Sequence, residues 1–421
     1  MRWLPILLLW AMPVGASEQV FFHTQSSPST TVANYICPWG GGSANDTNAN
    51  RACGGMPAGI MRKLSVTVSA DPANGAGVQS YAIAVLVNGV ASTLTCTISE
   101  GSTSCTDEER ATFAAGDRTS VSITPANTPT AVTMRMSMTF APTTDNETAI
   151  GGSAGSTGLS NSATEYLHPN FTTDPEATEN LAEFVFPMAG TLKNLYISLS
   201  GSPGTGNSYT FTVRRGTEAG AMADTAITTV VSGAETADTD LVNTISIAVG
   251  DRITLKQVPA STPTARLARY GLTFVPTVPG EFVIHYNSDD TLSASATNYV
   301  QWSTGSQAPN ATETAVNQLA GHHVVLTGMY VRVDTAPGAG NSLDFYPRRN
   351  GARVGQTLQI AETATTASAF GLLIPYLFDD LVDTEIVPTS TPTVDITKIS
   401  YIGTVEAVHL EGATFNASVM Q

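Results

Sequence analysis

Few side chains in this 421-residue sequence fall into patterns that chemistry could use. Gly151-x-Ser153-x-Gly155 has the form of a nucleophile elbow, in which a strained strand-to-helix turn exposes a serine. It lies in a Gly/Ser/Ala run with no strand pattern before it and no helical pattern after it, and reads as a linker. The histidines are His23, His168, His285, His322, His323 and His409; only His322-His323 cluster, and neighbours along a strand face opposite sides. The acidic pairs Glu108-Glu109, Asp289-Asp290 and Asp379-Asp380 diverge for the same reason, whereas glycoside hydrolysis needs two converging carboxylates. No catalytic residue is assigned and no enzyme is expected, a secreted hydrolase being the weakest reading. The oxygen-rich run Asn287-Ser288-Asp289-Asp290 makes Ca²⁺ the one candidate cofactor, against the plainer reading of a solvated loop.

Four residues point to covalent cross-links. Cys37, Cys53, Cys96 and Cys105 all lie in the first quarter of the chain, and their spacings match no C-x₂-C zinc knuckle. Local pairing, Cys37 with Cys53 and Cys96 with Cys105, is the preferred of three connectivities. The second pair flanks the polar turn Thr97–Ser104, where a cross-strand staple needs Cβ atoms only about 4 Å apart. The candidate ligand contacts are Tyr35, Tyr166 and Tyr299, Trp302 behind the last of them, and the paired arginines Arg214-Arg215 and Arg348-Arg349. Rings can stack on sugars and guanidinium forks can hold carboxylates; core packing for the rings and charged strand ends for the arginines are the preferred, plainer readings. Five Asn-x-Ser/Thr sequons, at Asn45, Asn146, Asn170, Asn310 and Asn416, suit a secreted surface but are near chance in so Ser/Thr-rich a chain.

The elements that must position these residues come in three copies. Residues 191–216 (TLKNLYISLSGSPGTGNSYTFTVRRG) and 325–351 (VLTGMYVRVDTAPGAGNSLDFYPRRNG) share a Pro-Gly-x-Gly-Asn-Ser turn and the arginine pair in register, and residues 61–89 are a related copy. Gly116-Asp117-Arg118 repeats as Gly250-Asp251-Arg252, and Thr128-Pro129-Thr130 as Thr262-Pro263-Thr264 and Thr391-Pro392-Thr393. In the third copy Phe378-Asp379-Asp380 replaces Gly-Asp-Arg. Hydrophobics alternate at Leu64, Val66 and Val68, then Leu195, Ile197 and Leu199, then Met329, Val331 and Val333, which is a strand with one face on a core. Turn signals recur at strand-length intervals, the pattern of a sandwich. The expected fold is all-β, three tandem antiparallel β-sandwiches of jelly-roll type. The boundaries read as 1–16 signal peptide, 17–142, 143–277, 278–406, and a tail at 407–421, with Ala141–Ser162 and Val275–Gly280 as links.

The T-L-x-N-L-Y strand, the P-G-x-G turn, the C-T-I-S…S-C hairpin and the G-D…T-P-T elements together resemble a jelly-roll-like repeat. That repeat is found in phage, environmental-virus and bacterial extracellular structural proteins, and the likeness runs through all three units, most closely 190–276. It implies a fold and a structural or surface role, and carries over no catalytic residue.

Arg2, a short apolar core and Val14-Gly15-Ala16 make the first sixteen residues a secretory signal peptide. No later run is long enough to span a bilayer, Phe370–Phe378 being the most apolar. A net charge of −16 excludes phosphate-backbone binding by the global field, so no nucleic-acid partner is expected. Charged residues at only 13% and four cysteines fit a polar, secreted or cell-surface protein. The expectation is a non-enzymatic extracellular or virion structural or adhesive protein that self-associates, with a trimer the typical jelly-roll assembly, or contacts a surface. The alternative is an array of glycan-binding modules.

Overall fold

The computed structural model describes residues 17–40, 53–75, 77–288, 290–305, 308–393 and 397–405. The expected signal peptide and C-terminal tail lie outside the described residues. Apart from two short 3-10 turns (Glu179–Ala182 and Glu313–Ala315), every regular element described is a strand.

Unit 1 comprises β1 (Gln19–Ser26), β2 (Asn34–Ile36), β3 (Gly59–Val68), β4 (Ser80–Val87), β5 (Val90–Ser99), β6 (Ser104–Phe113), β7 (Thr119–Ala126) and β8 (Thr133–Pro142). They form two sheets, ordered β1-β8-β3-β6 and β2-β7-β4-β5. The first strand thus lies beside the last and the two sheets exchange strands, which is the jelly-roll order.

Unit 2 repeats it with β9 (Thr148–Ser153), β10 (Glu165–Leu167), β11 (Phe184–Val185), β12 (Gly190–Leu199), β13 (Gly204–Gly216), β14 (Ala223–Gly233), β15 (Ala237–Ile247), β16 (Arg252–Ala260) and β17 (Ala268–Pro276). Its sheets run β9-β17-β12-β15 and β10-β16-β13-β14, with β11 also on β16. Unit 3 contains β18 (Glu281–Asn287), β19 (Asn298–Val300), β20 (Thr304–Gly305), β21 (Gln318–Ala320), β22 (Val324–Val333), β23 (Gly338–Arg349), β24 (Ala352–Arg353), β25 (Leu358–Glu362), β26 (Thr366–Tyr376), β27 (Asp380–Thr389) and β28 (Thr397–Val405). Its sheets are β20-β18-β28-β22-β26 and β19-β27-β23, the latter extended by β21 on β27 and by β24 and β25 on β23. The alternating hydrophobics of β3, β12 and β22 point into the three cores, each buried side chain contributing about 1.5–3 kcal/mol.

The repeated motifs hold turns. The second threonine of each Thr-Pro-Thr donates its amide to a proline carbonyl across the sandwich end: Thr130 to Pro72 (2.8 Å), Thr264 to Pro203 (2.8 Å) and Thr393 to Pro337 (2.9 Å). Ahead of the repeated tyrosines, Asn34, Glu165 and Asn298 each accept from the amide of the serine five residues earlier, closing the same loop.

The Gly-Asp motif survives in unit 3 one residue later than the sequence suggested. Asp379 takes the left-handed glycine position (φ 70, against 87 at Gly116 and 81 at Gly250), and aspartate tolerates that region better than most residues. Asp380 accepts the amide three residues back, that of Leu377, as Asp117 accepts that of Ala114 and Asp251 that of Ala248.

Three expectations change. The link read as Ala141–Ser162 contains strand β9, so the Gly151-x-Ser153-x-Gly155 run opens unit 2. Its glycines are required by close packing, since a Cβ on Gly152 would sit 2.1 Å from the Phe171 carbonyl oxygen. Secondly, Cys96 and Cys105 do pair, as do Cys37 and Cys53, but Cys96–Cys105 is no staple within a hairpin. Strands β5 and β6 belong to different sheets, so the bond ties the sandwich's two layers together at their edge. Thirdly, His23 and His285, both on first strands, differ by one position of register and face opposite sides: His23 pairs with Met136 and His285 with Ser400.

Candidate functional site

The arginine pairs are consumed within the fold. Arg214 Nε meets Glu179 Oε1 at 2.5 Å and its Nη1 meets Asp224 at 2.6 Å, while Arg215 holds Asp251 at 2.7 Å. In unit 3 Arg348 repeats the pairing with Glu313 (2.9 Å), adds Glu385, and lies 5.4 Å from the centre of the Tyr299 ring. Arg349 lies 3.9 Å from Asp380. Burial and the neighbouring acid groups push the Asp383 carboxyl upward beside this cluster. Tyr299 and Arg348 are therefore brought together, with carboxylates already satisfying the guanidinium. Tyr166 and Tyr35 sit half-buried at the matching positions, each on a short strand paired with the neighbouring long one. Trp302 is fully enclosed against Tyr376 (4.6 Å) and Tyr401 (5.3 Å), with its indole N–H on the Asp383 carbonyl, so it presents no face for stacking. Of the oxygen-rich run, Asp289 lies outside the described residues; Asn287 donates to the Leu181 carbonyl and Ser288 to that of Asp290. The Asn146 side chain bonds the Pro276 carbonyl and the Gly280 amide, so its amide is committed to the unit junction.

What the sequence analysis missed is how the units meet. The outer face of each unit's first and last strands packs on the segment ahead of β3, β12 or β22 in another unit, and the pattern is cyclic. Val20 of unit 1 lies in the core of unit 3, Ala149 of unit 2 in that of unit 1, and Val283 of unit 3 in that of unit 2. By strand register these three are one position of the repeat. Unit 1 therefore leans on unit 3, unit 3 on unit 2, and unit 2 on unit 1: a closed three-membered ring made by one chain. Close contacts recur at one site. A Cβ on Gly321 of unit 3 would lie 1.9 Å from Ser137 Oγ of unit 1, and one on Gly55 of unit 1 would lie 2.6 Å from Gly271 Cα of unit 2. At the third junction the Ser400 hydroxyl donates to the Val185 carbonyl at 2.6 Å.

Each junction also buries a cation at one repeated position, Arg135, Arg269 or Lys398. Buried charges need partners. Arg135 reaches across to Asn317 Oδ1 (2.7 Å) and the Thr314 carbonyl (2.9 Å). Lys398 binds Asp334 at 2.8 Å, while beside it Arg252 holds Glu183 at 2.6 Å. The signal for these residues was present in the sequence, a lone cation recurring in each last strand.

Histidines line the same junctions. His168 and His285 stack 5.4 Å apart between units 2 and 3 among Phe171 and Phe184, and His322 of unit 3 contacts the Lys63 carbonyl of unit 1 at 3.0 Å. The Ser400 proton is used on Val185, so its oxygen accepts from His285 Nδ1. Burial lowers all these imidazoles, with Lys398 adding to the effect at His168 and His285; His23 and His322 fall to about 4. They are neutral packing groups at pH 7. Compared with protein-family models and with curated proteins, the sequence matches none.

Proposed function

We propose that this chain is a non-enzymatic extracellular or virion structural or adhesive protein whose three jelly rolls form a rigid presenting block. The observation that carries this reading is the ring: each core is completed by its neighbour, so the block is stiff and its repeated faces are already occupied. Contact with other molecules then goes through the outer edges, and these differ. In unit 1 the edge strand β6 carries Asp107-Glu108-Glu109-Arg110, charges that discourage edge pairing. In unit 3 the corresponding edge strand β26 and the turn after it expose Phe370 (50%), Leu373 (81%), Leu377 (50%) and Phe378 (46%). An apolar patch on an open edge supports association with a second copy. Light scattering on the full mature chain across a concentration series tests this. The reading expects a mass above one chain at high concentration, returning to one chain in Phe370→Asp/Leu373→Asp. A one-chain mass throughout, without filaments, would overturn it.

A further inference from the structure

Of the three junction cations only Lys398 is a lysine, and its surroundings are those of a reactive amine. In register, Lys398 of β28 stands where units 1 and 2 have Arg135 and Arg269. Asp334, the residue after β22, stands where they have Ser69 and Ser200, the residues after β3 and β12. Those serine hydroxyls accept backbone amides, from Thr133 at 2.9 Å and Leu267 at 3.0 Å. Lysine and aspartate therefore replace arginine and serine together, in one unit. An arginine stays protonated inside a protein, whereas a buried ammonium can lose its proton and become a nucleophile.

The Lys398 side chain is fully enclosed, and its Nζ lies 2.8 Å from Asp334 Oδ1. The carboxyl carbon is one bond beyond that contact, near the separation from which an amine attacks. Unit 2 supplies the rest of the site. Asn180 Nδ2 donates to Asp334 Oδ2 at 2.9 Å and fixes the carboxyl plane. Glu183, also enclosed, has Oε1 on Arg252 at 2.6 Å and leaves Oε2 without a hydrogen-bond partner. Burial pushes the Glu183 carboxyl upward, and the charges that bear on it include Lys398, Arg252, Arg332 and Asp334. His168, His285 and Phe184 pack together beside them, and the Lys398 charge reaches both imidazoles. Surroundings this dry favour a neutral amine and acid over an ion pair.

We propose that Lys398 and Asp334 join as an intramolecular amide, with Glu183 of unit 2 as the proton carrier. A proton passes from Nζ to the Asp334 carboxylate, leaving an amine beside a carboxylic acid. The nitrogen lone pair attacks Cγ; Glu183 takes a proton from the nitrogen and delivers it to the departing hydroxyl. One C–N bond forms, one C–O bond breaks and water leaves, with nothing oxidised and no co-reactant. One positive and one negative charge vanish, so the net charge is unchanged. Because Asn180 and Glu183 belong to unit 2, the bond forms only once the ring has closed, and it then ties β22 to β28. This holds whether or not the chain self-associates.

Mass spectrometry of a tryptic digest of the reduced, alkylated mature chain tests this. The expected product is residues 333–348 joined to the peptide that starts at 354 and is uncut after Lys398. Its mass should be one water below the sum of the two. Lys398→Arg and Asp334→Ser, the residues of the sister units, should each give separate peptides of full mass. Glu183→Gln should lower the joined fraction about tenfold or more, in a chain that keeps the wild-type β-sheet circular dichroism. Separate, full-mass peptides from the wild-type chain would overturn the proposal, whatever the variants do. So would a loss of water that persists in Lys398→Arg, or a folded Glu183→Gln chain joined to the wild-type extent.

Discussion

Unit 1 and its two sisters fasten the same two points by different chemistry. The first point joins the short strand β2, β10 or β19 to the segment ahead of β3, β12 or β22. Unit 1 closes it with Cys37–Cys53; unit 2 places His168 against Phe184 there, rings 6.2 Å apart; unit 3 has Gln318 donating to Gln301 at 3.3 Å. The second point joins the two layers at the sandwich edge. Unit 1 uses Cys96–Cys105, unit 2 a hydrogen bond from the Thr229 hydroxyl to Asp238, and unit 3 the apolar Leu358 and Ala367, both packed on its core. The register of β3 with β6, β12 with β15 and β22 with β26 shows that these are equivalent sites. The topology dictates where the layers must be held together. It leaves the means free.

The three versions should fail under different stresses. Acid should act most strongly, and on the buried histidines. Because the folded pKa values of His23 and His322 lie near 4, below the 6.5 of a free imidazole, the unfolded chain takes up those protons first. Stability therefore falls as pH drops from 6.5 toward 4, by about 3 kcal/mol for each of the two by linkage. His168 and His285 shift in the same direction and add to the loss. Urea midpoints at pH 7.5, 5.5 and 4.5 should decline steadily, and His322→Gln should flatten the slope; a pH-independent midpoint would contradict the buried placement.

Reduction should be the next largest effect and confined to unit 1. Cys37→Ser/Cys53→Ser is expected to cost about 3 kcal/mol, read as a lowered denaturant midpoint that reducing agent does not lower further at that site. The smallest effect is the most diagnostic of equivalence. Cys96→Thr/Cys105→Asp installs the unit 2 fastening in unit 1 and should recover about 1 kcal/mol relative to Cys96→Ala/Cys105→Ala, the worth of one hydrogen bond. No difference between the two double variants would show that the sites are not interchangeable.

Much of this fold was legible because alternation and turn chemistry are local. Leu195, Ile197 and Leu199 declared a strand, and Pro203-Gly204 a turn, without reference to anything distant. The misreadings concern residues whose identity is set by contacts distant in sequence or by an unusual backbone position. Gly151 and Gly152 looked like a linker because their small size, demanded at Gly151 by Gly54 and Trp39 of unit 1 and at Gly152 by Phe171 and Tyr270 of unit 2, carries no strand signature. Trp302 kept two readings open because aromatic type alone does not distinguish a core from a surface; it lies in the core, the plainer of the two. The Gly-Asp turn of unit 3 was misaligned by one residue because Asp379 fills a left-handed position normally given to glycine. Beyond the cation that recurs in each last strand, the ring gave little to pattern reading, since the residues that close it, such as Val20, Ala149, Val283 and Gly55, are unremarkable in any single copy.

That the ring is drawn by one polypeptide has a consequence for stoichiometry. In an assembly of three identical chains every substitution appears three times, and a junction cannot change without its two sisters changing with it. Here each junction is encoded once. A cross-link can be confined to one unit, and each junction can bury its own cation, Arg135, Arg269 or Lys398, without its sisters changing with it.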